Sequence, residues 1–399
     1  MDIRSNEPYW LIKNALPQSY PSLTKTISAD ILIIGAGITG ALMAYKLIGE
    51  GKKIVMVDRR DICNGSTAAS TSMLQYEIDV PLHKLIEQVG ITCAVSSYQN
   101  CENAIKEIRK IATSVGSKCG FKYMKSVYFT STKKDLEFLE NEFKAREEHG
   151  FEVKWLSKEE LEKIGLKAYG AIESKSGAVM DVYTLSNDIL KFCSKKGLEI
   201  YDRTSVEEIK TKNDKTVAKT KDGFTIEVDH VVHCTGYEST ETVKEDIVKL
   251  KSTFALASEA FETIPKAFKE RIYWNTDAPY LYFRSTDDNR IVMGGGDRDF
   301  KNAMRRDALL PKKEKDLAKS FKKCFPEIEF IADYSWAGTF GETKDGLPYF
   351  GKPDAEKNEH YILGFGGNGI TFSVMGMYAI VHSINKTPHP YLEYYKFRR

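Results

Sequence analysis

Residues 33–61 read IIGAGITGALMAYKLIGEGKKIVMVDRRD, and the punctuation of that stretch decides the fold. The segment leading into it, ADILIIG from Ala29 to Gly35, carries an unbroken run of Ile and Leu over residues 31–34, typical of a strand buried on both faces of a parallel sheet. Glycines then stand at positions 35, 37 and 40, a G-x-G-x-x-G spacing. Gly35 permits the tight turn, Gly37 lets backbone approach a pyrophosphate, and Gly40 lets the following helix pack close to the strand. The helix predicted from about Ile38 to Glu50, closed by Gly51, aims its unsatisfied N–H groups and positive dipole end at those phosphates. A second strand, KKIVMVD, ends on Asp58, 18 residues past Gly40 (58 − 40), where an acid can take the ribose hydroxyls. The stretch predicts a dinucleotide cradle from Gly35, Ala36, Gly37, Ile38, Thr39, Gly40 and Asp58. Asp58 disfavours a 2′-phosphate, and Arg59 and Arg60 beside it read as surface or pyrophosphate contacts.

The bulk composition bounds the rest. The chain has 399 residues, enough for two domains, with 42% hydrophobic and 29% charged residues, as in ordinary globular proteins. Fifty-eight Lys and Arg nearly balance 56 Asp and Glu, and a net charge of +2 gives no reason to expect a nucleic-acid partner. Seven cysteines show no C-x-x-C pair and no clustered histidines. They read as reduced thiols of a cytoplasmic protein, with no metal site expected. The apolar run Ile31–Ile48 raises a membrane question, but its glycine spacing and the charged Glu50 beyond it fit strand, turn and helix better than a span. No transmembrane segment is expected.

Downstream features separate FAD from a nicotinamide. The second strand is followed by NGSTAASTSMLQ, residues 64–75, small and hydroxylated enough to lie against phosphates or a ribityl chain. Ser66, Thr67, Ala68, Ser70 and Thr71 are its candidate contacts. A strand and turn reaching Val206, and the strand HVVHCTG ending on Thr235 and Gly236, suit the adenine side of FAD. HYILGFGGNGITFSVMGMYAIVHSI, residues 360–384, is again strand, glycine-rich turn and helix. Gly364, Gly366, Gly367, Gly369, Ile370 and Thr371 would meet the pyrimidine edge of a flavin, whose reduced form carries negative charge. Any one of these stretches alone is an ordinary strand–turn joint. Three in order after the first motif favour FAD.

IIGAGITG, GSTAAST, HVVHCTG, WAGTFGETKDGLPYFGKP and GFGGNGIT together resemble the D-amino-acid oxidase family of flavin oxidoreductases over nearly the whole chain. That family includes glycine oxidase, sarcosine oxidase and gamma-glutamylputrescine oxidase, and the leader EPYWLIKNALPQSYPSLTKTISAD resembles the extension of the last type. The resemblance implies an α/β fold with a discontinuous, Rossmann-like FAD domain, residues 1–85, 170–250 and 331–399. A substrate domain on an antiparallel sheet would take residues 86–169 and 251–330. The sequence supports the latter with helical patterns over 84–116 and 133–150, a capping box at Ser157 and Glu160, and a hairpin over 279–297.

The implied chemistry is oxidation of a C–N bond by hydride transfer to flavin N5, giving an imine that hydrolyses. The substrate would be a small amine or amino acid, and the electron acceptor O2 or a carrier. Members acting on α-amino acids have an arginine that forks onto the substrate carboxylate; here that position is Phe340. Ser72 and Thr371 stand near the sarcosine oxidase carboxylate ligands, and Gly338 near its covalent flavin cysteine, so FAD is expected to bind non-covalently. Tyr282, Trp336 and Phe340 suggest an aromatic substrate site, with core packing as the alternative, and Arg284 is a candidate clamp from another direction. Two other readings stay open: a same-fold dehydrogenase feeding a quinone or carrier, and a flavin-binding subunit without turnover alone.

Overall fold

The computed structural model describes residues 1–5, 7–212, 215–243, 247–364 and 366–399. Phe365, inside the predicted C-terminal glycine turn, lies outside the described residues. At the centre is a six-stranded sheet in the order Tyr349–Gly351, Glu359–Leu363, His230–His233, Ile31–Ile34, Ile54–Val57 and Glu199–Tyr201. All neighbours are parallel except the first pair.

The unbroken apolar run of the first strand is explained by what covers each face. Ile31 and Ile33 point into the helical layer, whereas Leu32 points into a separate cluster with Val55, Val57 and Val231. Alternate side chains of a strand face opposite ways, so a strand covered twice is apolar at every position. The helical layer holds Ile38–Leu47, packed against Gly369–Ile384 and Val182–Ser194. The other face is covered by a small sheet of Ile27–Ser28, Thr225–Val228, Lys215–Thr220 and Val206–Lys212, which supplies Ala218, Ile226 and Val228.

A second, nine-stranded sheet runs Ala332–Glu342, Lys249–Ser258, Ile291–Asp299, Leu281–Ser285, Arg271–Asn275, Lys122–Thr130, Gly170–Val179 and Met73–Gln75, with Val153–Leu156 also on Gly170–Val179. It is antiparallel apart from Arg271–Asn275 beside Lys122–Thr130. Helix Leu310–Cys324 buries Leu317 and Phe321 against it, among Phe268, Phe283 and Phe325.

Several segments sit differently from the expected division. Strands Met73–Gln75, Gly170–Val179 and Ala332–Glu342, allotted to the FAD domain, are hydrogen-bonded into the nine-stranded sheet. Helix Ile91–Ser114, allotted to the substrate domain, packs on Gly369–Ile384. Sequence spacing gives no measure of such long-range pairing. The helical pattern over 84–116 is two helices, Leu82–Val89 and Ile91–Ser114, broken at Gly90, whose φ of 81° is left-handed. The capping box forms as read: Ser157 Oγ accepts the Glu160 N–H, and the Glu160 carboxylate accepts the Ser157 N–H.

Candidate functional site

Where the parallel strands end, the strand-to-helix turns, the hydroxylated loop and the large sheet enclose one cavity of about 370 Å³, within the range of small-molecule sites. The first motif forms its floor by close backbone approach. A Cβ on Gly40 would stand 1.9 Å from the Gly35 carbonyl oxygen, and one on Gly35 would stand 2.4 Å from that of Cys234. Gly40 itself does not line the cavity; it lets the helix seat. Helix Ile38–Leu47 starts at Gly37 and helix Gly369–Ile384 at Asn368, and neither start is capped by its own side chain. Asn368 instead donates its amide to the carbonyls of Gln75 and Glu77. Two positive helix ends thus face one cavity, joined by a 2.7 Å contact between the hydroxyls of Thr39 and Ser373.

Asp58 sits between these layers, its Oδ2 accepting the Ala36 N–H and its Oδ1 the Arg60 N–H. Burial raises its carboxyl above the usual range, against those two hydrogen bonds. Ala36 is therefore a partner of Asp58 and is not a lining residue. Arg59 and Arg60 line the cavity but both pair with Glu238, on the turn after Gly236. Val206, Thr235 and Gly236 line the same end.

The hydroxylated loop is held by an arrangement that sequence spacing did not reveal. Its consecutive carbonyls point into the protein: Ala69 accepts from Trp336 Nε1 at 2.8 Å, Ser70 from Trp10 Nε1 at 2.6 Å, and Thr71 and Ser72 from Arg284 Nη1 at 3.1 and 2.8 Å. With the acceptors turned away, Ser66, Thr67, Ser70 and Thr71 are left along the cavity, and Ser66 Oγ is buried with no partner among the described residues. Ala68 is fully buried behind them. These features fit an FAD: bare glycine backbone and a helix start for the diphosphate, a second helix start for the ring system, a buried acid for the ribose, and an unsatisfied hydroxyl in the wall.

Two substrate candidates stand outside the cavity lining. Arg284 does not line the cavity; it is buried, holds three carbonyls besides that of Ser285, and stacks over the Trp10 ring. Desolvation lowers its pKa to about 10. Trp336 is likewise core, stacked on Tyr9. Thr371 is buried within its helix, its hydroxyl donating to the Asn368 carbonyl. Tyr282 and Phe340 do line the cavity, as do Gly364, Gly366, Gly367, Gly369 and Ile370.

Around that glycine turn lie groups the sequence reading missed. Asp79 Oδ2 accepts the Gly367 N–H at 2.7 Å, and Asp79 Oδ1 accepts from the Tyr280 hydroxyl at 3.2 Å. Burial raises the Asp79 carboxyl, opposed by those two bonds, and pushes the Tyr280 hydroxyl far up. A Cβ on Gly366 or Gly367 would meet the Asp79 carboxylate at 2.6 Å, so a larger residue at either position would have to displace that carboxylate. Asp297 lines the wall with Tyr280 and Tyr282; its Oδ1 is buried with no partner among the described residues. Desolvation raises its pKa to about 6, with Thr253 acting the other way. The GGGD run, residues 294–297, was the available signal. Gly294 leaves space for Tyr282, since a Cβ there would come within 2.2 Å of its hydroxyl.

Comparison with known proteins accords with this site. The protein named "Putative Rieske 2Fe-2S iron-sulfur protein YhfW", from Bacillus subtilis (strain 168), is 25% identical over 392 residues, covering 96% of this chain and 74% of its own length. In structure, glycine oxidase from Geobacillus kaustophilus aligns with a TM-score of 0.75 at 18% identity, over 93% of this chain and 99% of its own. L-alpha-glycerophosphate oxidase from Mycoplasma pneumoniae, with FAD bound, aligns with a TM-score of 0.75 at 16% identity, over 91% and 97%. A family model described as DAO, FAD dependent oxidoreductase, matches residues 30–380, and the chain belongs to that family of FAD-dependent oxidoreductases.

Proposed function

We propose that this oxidoreductase acts on the C–N bond of an amine that lacks an α-carboxylate. One observation carries the reading. Beside the C-terminal glycine turn the cavity wall is Tyr280, Tyr282, Phe340 and Asp297, whose Oδ1 has no partner among the described residues, and the only cations among the described lining residues are Arg59 and Arg60, tied to Glu238. An α-carboxylate brought there would be desolvated without a partner, whereas an ammonium would meet aromatic faces and a carboxylate.

FAD, when bound, supplies the two-electron acceptor that takes a hydride from the substrate carbon. The residues proposed to hold it are Gly35, Gly37, Ile38 and Thr39 with Ser66, Thr67, Ser70 and Thr71 at the diphosphate and ribityl chain. Asp58 would take the ribose, Val206, Thr235 and Gly236 the adenine side, and Gly364, Gly366, Gly367, Gly369 and Ile370 the ring system. The remaining steps belong to the protein's side chains. An ammonium cannot release hydride, because the nitrogen lone pair must be free to form the imine. Asp297 Oδ1 is the proton acceptor, its raised pKa of about 6 bringing it closer to the substrate amine than an ordinary carboxyl. Tyr280 and Tyr282 orient the substrate body, and Phe340 excludes water from the position of the missing arginine.

An anaerobic titration of the flavin-loaded protein tests this by visible absorption. Primary and secondary amines without an α-carboxylate are expected to bleach the flavin band, while glycine and glycerol 3-phosphate leave it. Bleaching by glycerol 3-phosphate alone would overturn the amine reading. Readmitting air then separates an oxidase from an enzyme that needs a carrier.

A further inference from the structure

Behind Asp297 lies a second cavity, of about 600 Å³, whose wall is of opposite character. Asp297 lines both cavities, and the second is ringed by seven Lys and Arg against three Asp. Most of those cations are accounted for or bathed in solvent. Lys251 pairs with Asp299 and Glu342, Arg306 pairs with Asp307, and Arg298, Lys301, Arg305 and Lys312 are exposed.

Lys313 is neither. It is 7% exposed, it projects from helix Leu310–Cys324 beneath the glycine run, and its ammonium donates to the Gly296 carbonyl. No carboxylate lies within ion-pair reach of it among the described residues. A Cβ on Gly296 would approach Lys313 Nζ to 3.2 Å, so glycine leaves the space that the amine occupies. Desolvation lowers the pKa of Lys313 and Arg298 adds to the effect, with Asp316 and Asp297 acting the other way. A buried ammonium with one neutral acceptor is an electrostatic debt that a folded protein carries at a cost of stability. Strand Ile291–Asp299 therefore carries a carboxylate oxygen with no hydrogen-bond partner, Asp297 Oδ1, and receives on Gly296 an ammonium with no ion pair, that of Lys313, each partly offset by the other across adjoining cavities.

We propose that the second cavity receives an anionic group, a carboxylate or a phosphate, at the far end of the substrate whose nitrogen meets Asp297, with the Lys313 ammonium as its buried partner. The substrate class is then an amine with an acid group several bonds from the oxidised carbon. Its identity as one molecule rests on the amine reading above; the anion site does not.

Isothermal titration calorimetry on the flavin-loaded protein separates the two. Inorganic phosphate and glutarate, neither of which can be oxidised at a C–N bond, are the probes. At least one is expected to bind, and Lys313→Met is expected to weaken it by about ten- to a hundredfold, the worth of a charge-assisted hydrogen bond. Lys313→Gln, which keeps a donor, gives a second measure should the Met variant lose flavin, and Lys312→Ala at the exposed rim is expected to change binding less than about threefold. Glutarate binding alone assigns a carboxylate and phosphate binding alone a phosphoryl group. No binding of either probe, or equal binding to wild type and both Lys313 variants, overturns the inference. Anion binding without bleaching by any amine would leave this cavity standing and remove the amine reading instead.

Discussion

The two ends of the main cavity are built from different material. At the end proposed for the nucleotide, the surface is mostly backbone: the turn of Gly35 and Gly37, the helix start that follows it and a loop whose carbonyls face away. At the other end it is side chains, Tyr280, Tyr282, Phe340 and Asp297, carried on three neighbouring regions of the nine-stranded sheet. A backbone cradle fixes what every member of a family shares. A side-chain wall can change the ligand with no change of fold.

The largest expected effect breaks the cradle. Gly40→Val drives a branched side chain into the Gly35 carbonyl, already 1.9 Å from a Cβ. Purified protein should lose nearly all its flavin, read as the ratio of visible to ultraviolet absorption. Next comes Arg284→Met. It leaves the carbonyls of Thr71, Ser72 and Met180 without their donor, and should cost about 2–5 kcal/mol in denaturant unfolding. The remaining folded enzyme should keep its amine KM. A changed KM at unchanged stability would return Arg284 to the substrate.

Asp297→Asn sharpens the contrast from the other side. The amine kcat/KM should fall at least about tenfold above pH 7 while FAD affinity holds, because the proposed proton acceptor and one charge-assisted contact are lost together. In the wild type the KM should fall as pH rises through about 6, where Asp297 ionises, and the variant should lack that inflection. Stability moves oppositely. A carboxyl with a raised folded pKa favours folding when protonated, so its contribution is full below the unfolded value near 3.8 and is gone above about 6. Asp297→Asn should therefore gain stability relative to wild type at pH 7.5 and not at pH 3.5. The smallest effect is Asp58→Asn, a few-fold weaker FAD, since the Ala36 and Arg60 N–H groups keep at least one acceptor.

The same division explains what the sequence made legible. Gly35, Gly37, Gly40 and Asp58 could be read because a turn, a close helix and a strand end are local demands on residue type. Phe340 draws notice because it stands where family members have arginine, and Tyr282 as one aromatic among several, with no physical rule for their orientation. For Arg284 and Trp336 the sequence leaves substrate contact and structural pairing or packing both open. Their partners are carbonyls 213 and 267 positions away, and no spacing rule reaches so far. For Asp297 the GGGD run is the local signal, but that its Oδ1 is buried without a partner among the described residues is something a sequence does not record.

The leader has a consequence for assembly. Trp10 fixes the Ser70 carbonyl, the Thr339 N–H donates to the Ile3 carbonyl, and the Ala337 N–H donates to Ser5 Oγ across 332 positions. Such a clasp is closed by contacts of very high sequence separation, which form late because the intervening chain must first be gathered in. The loop beside the cofactor site is thus tied, through the leader, to strand Ala332–Glu342 far along the sequence. Until that closure the pocket has its glycines and not its rigidity, so tight cofactor retention doubles as a report that these distant segments have come together.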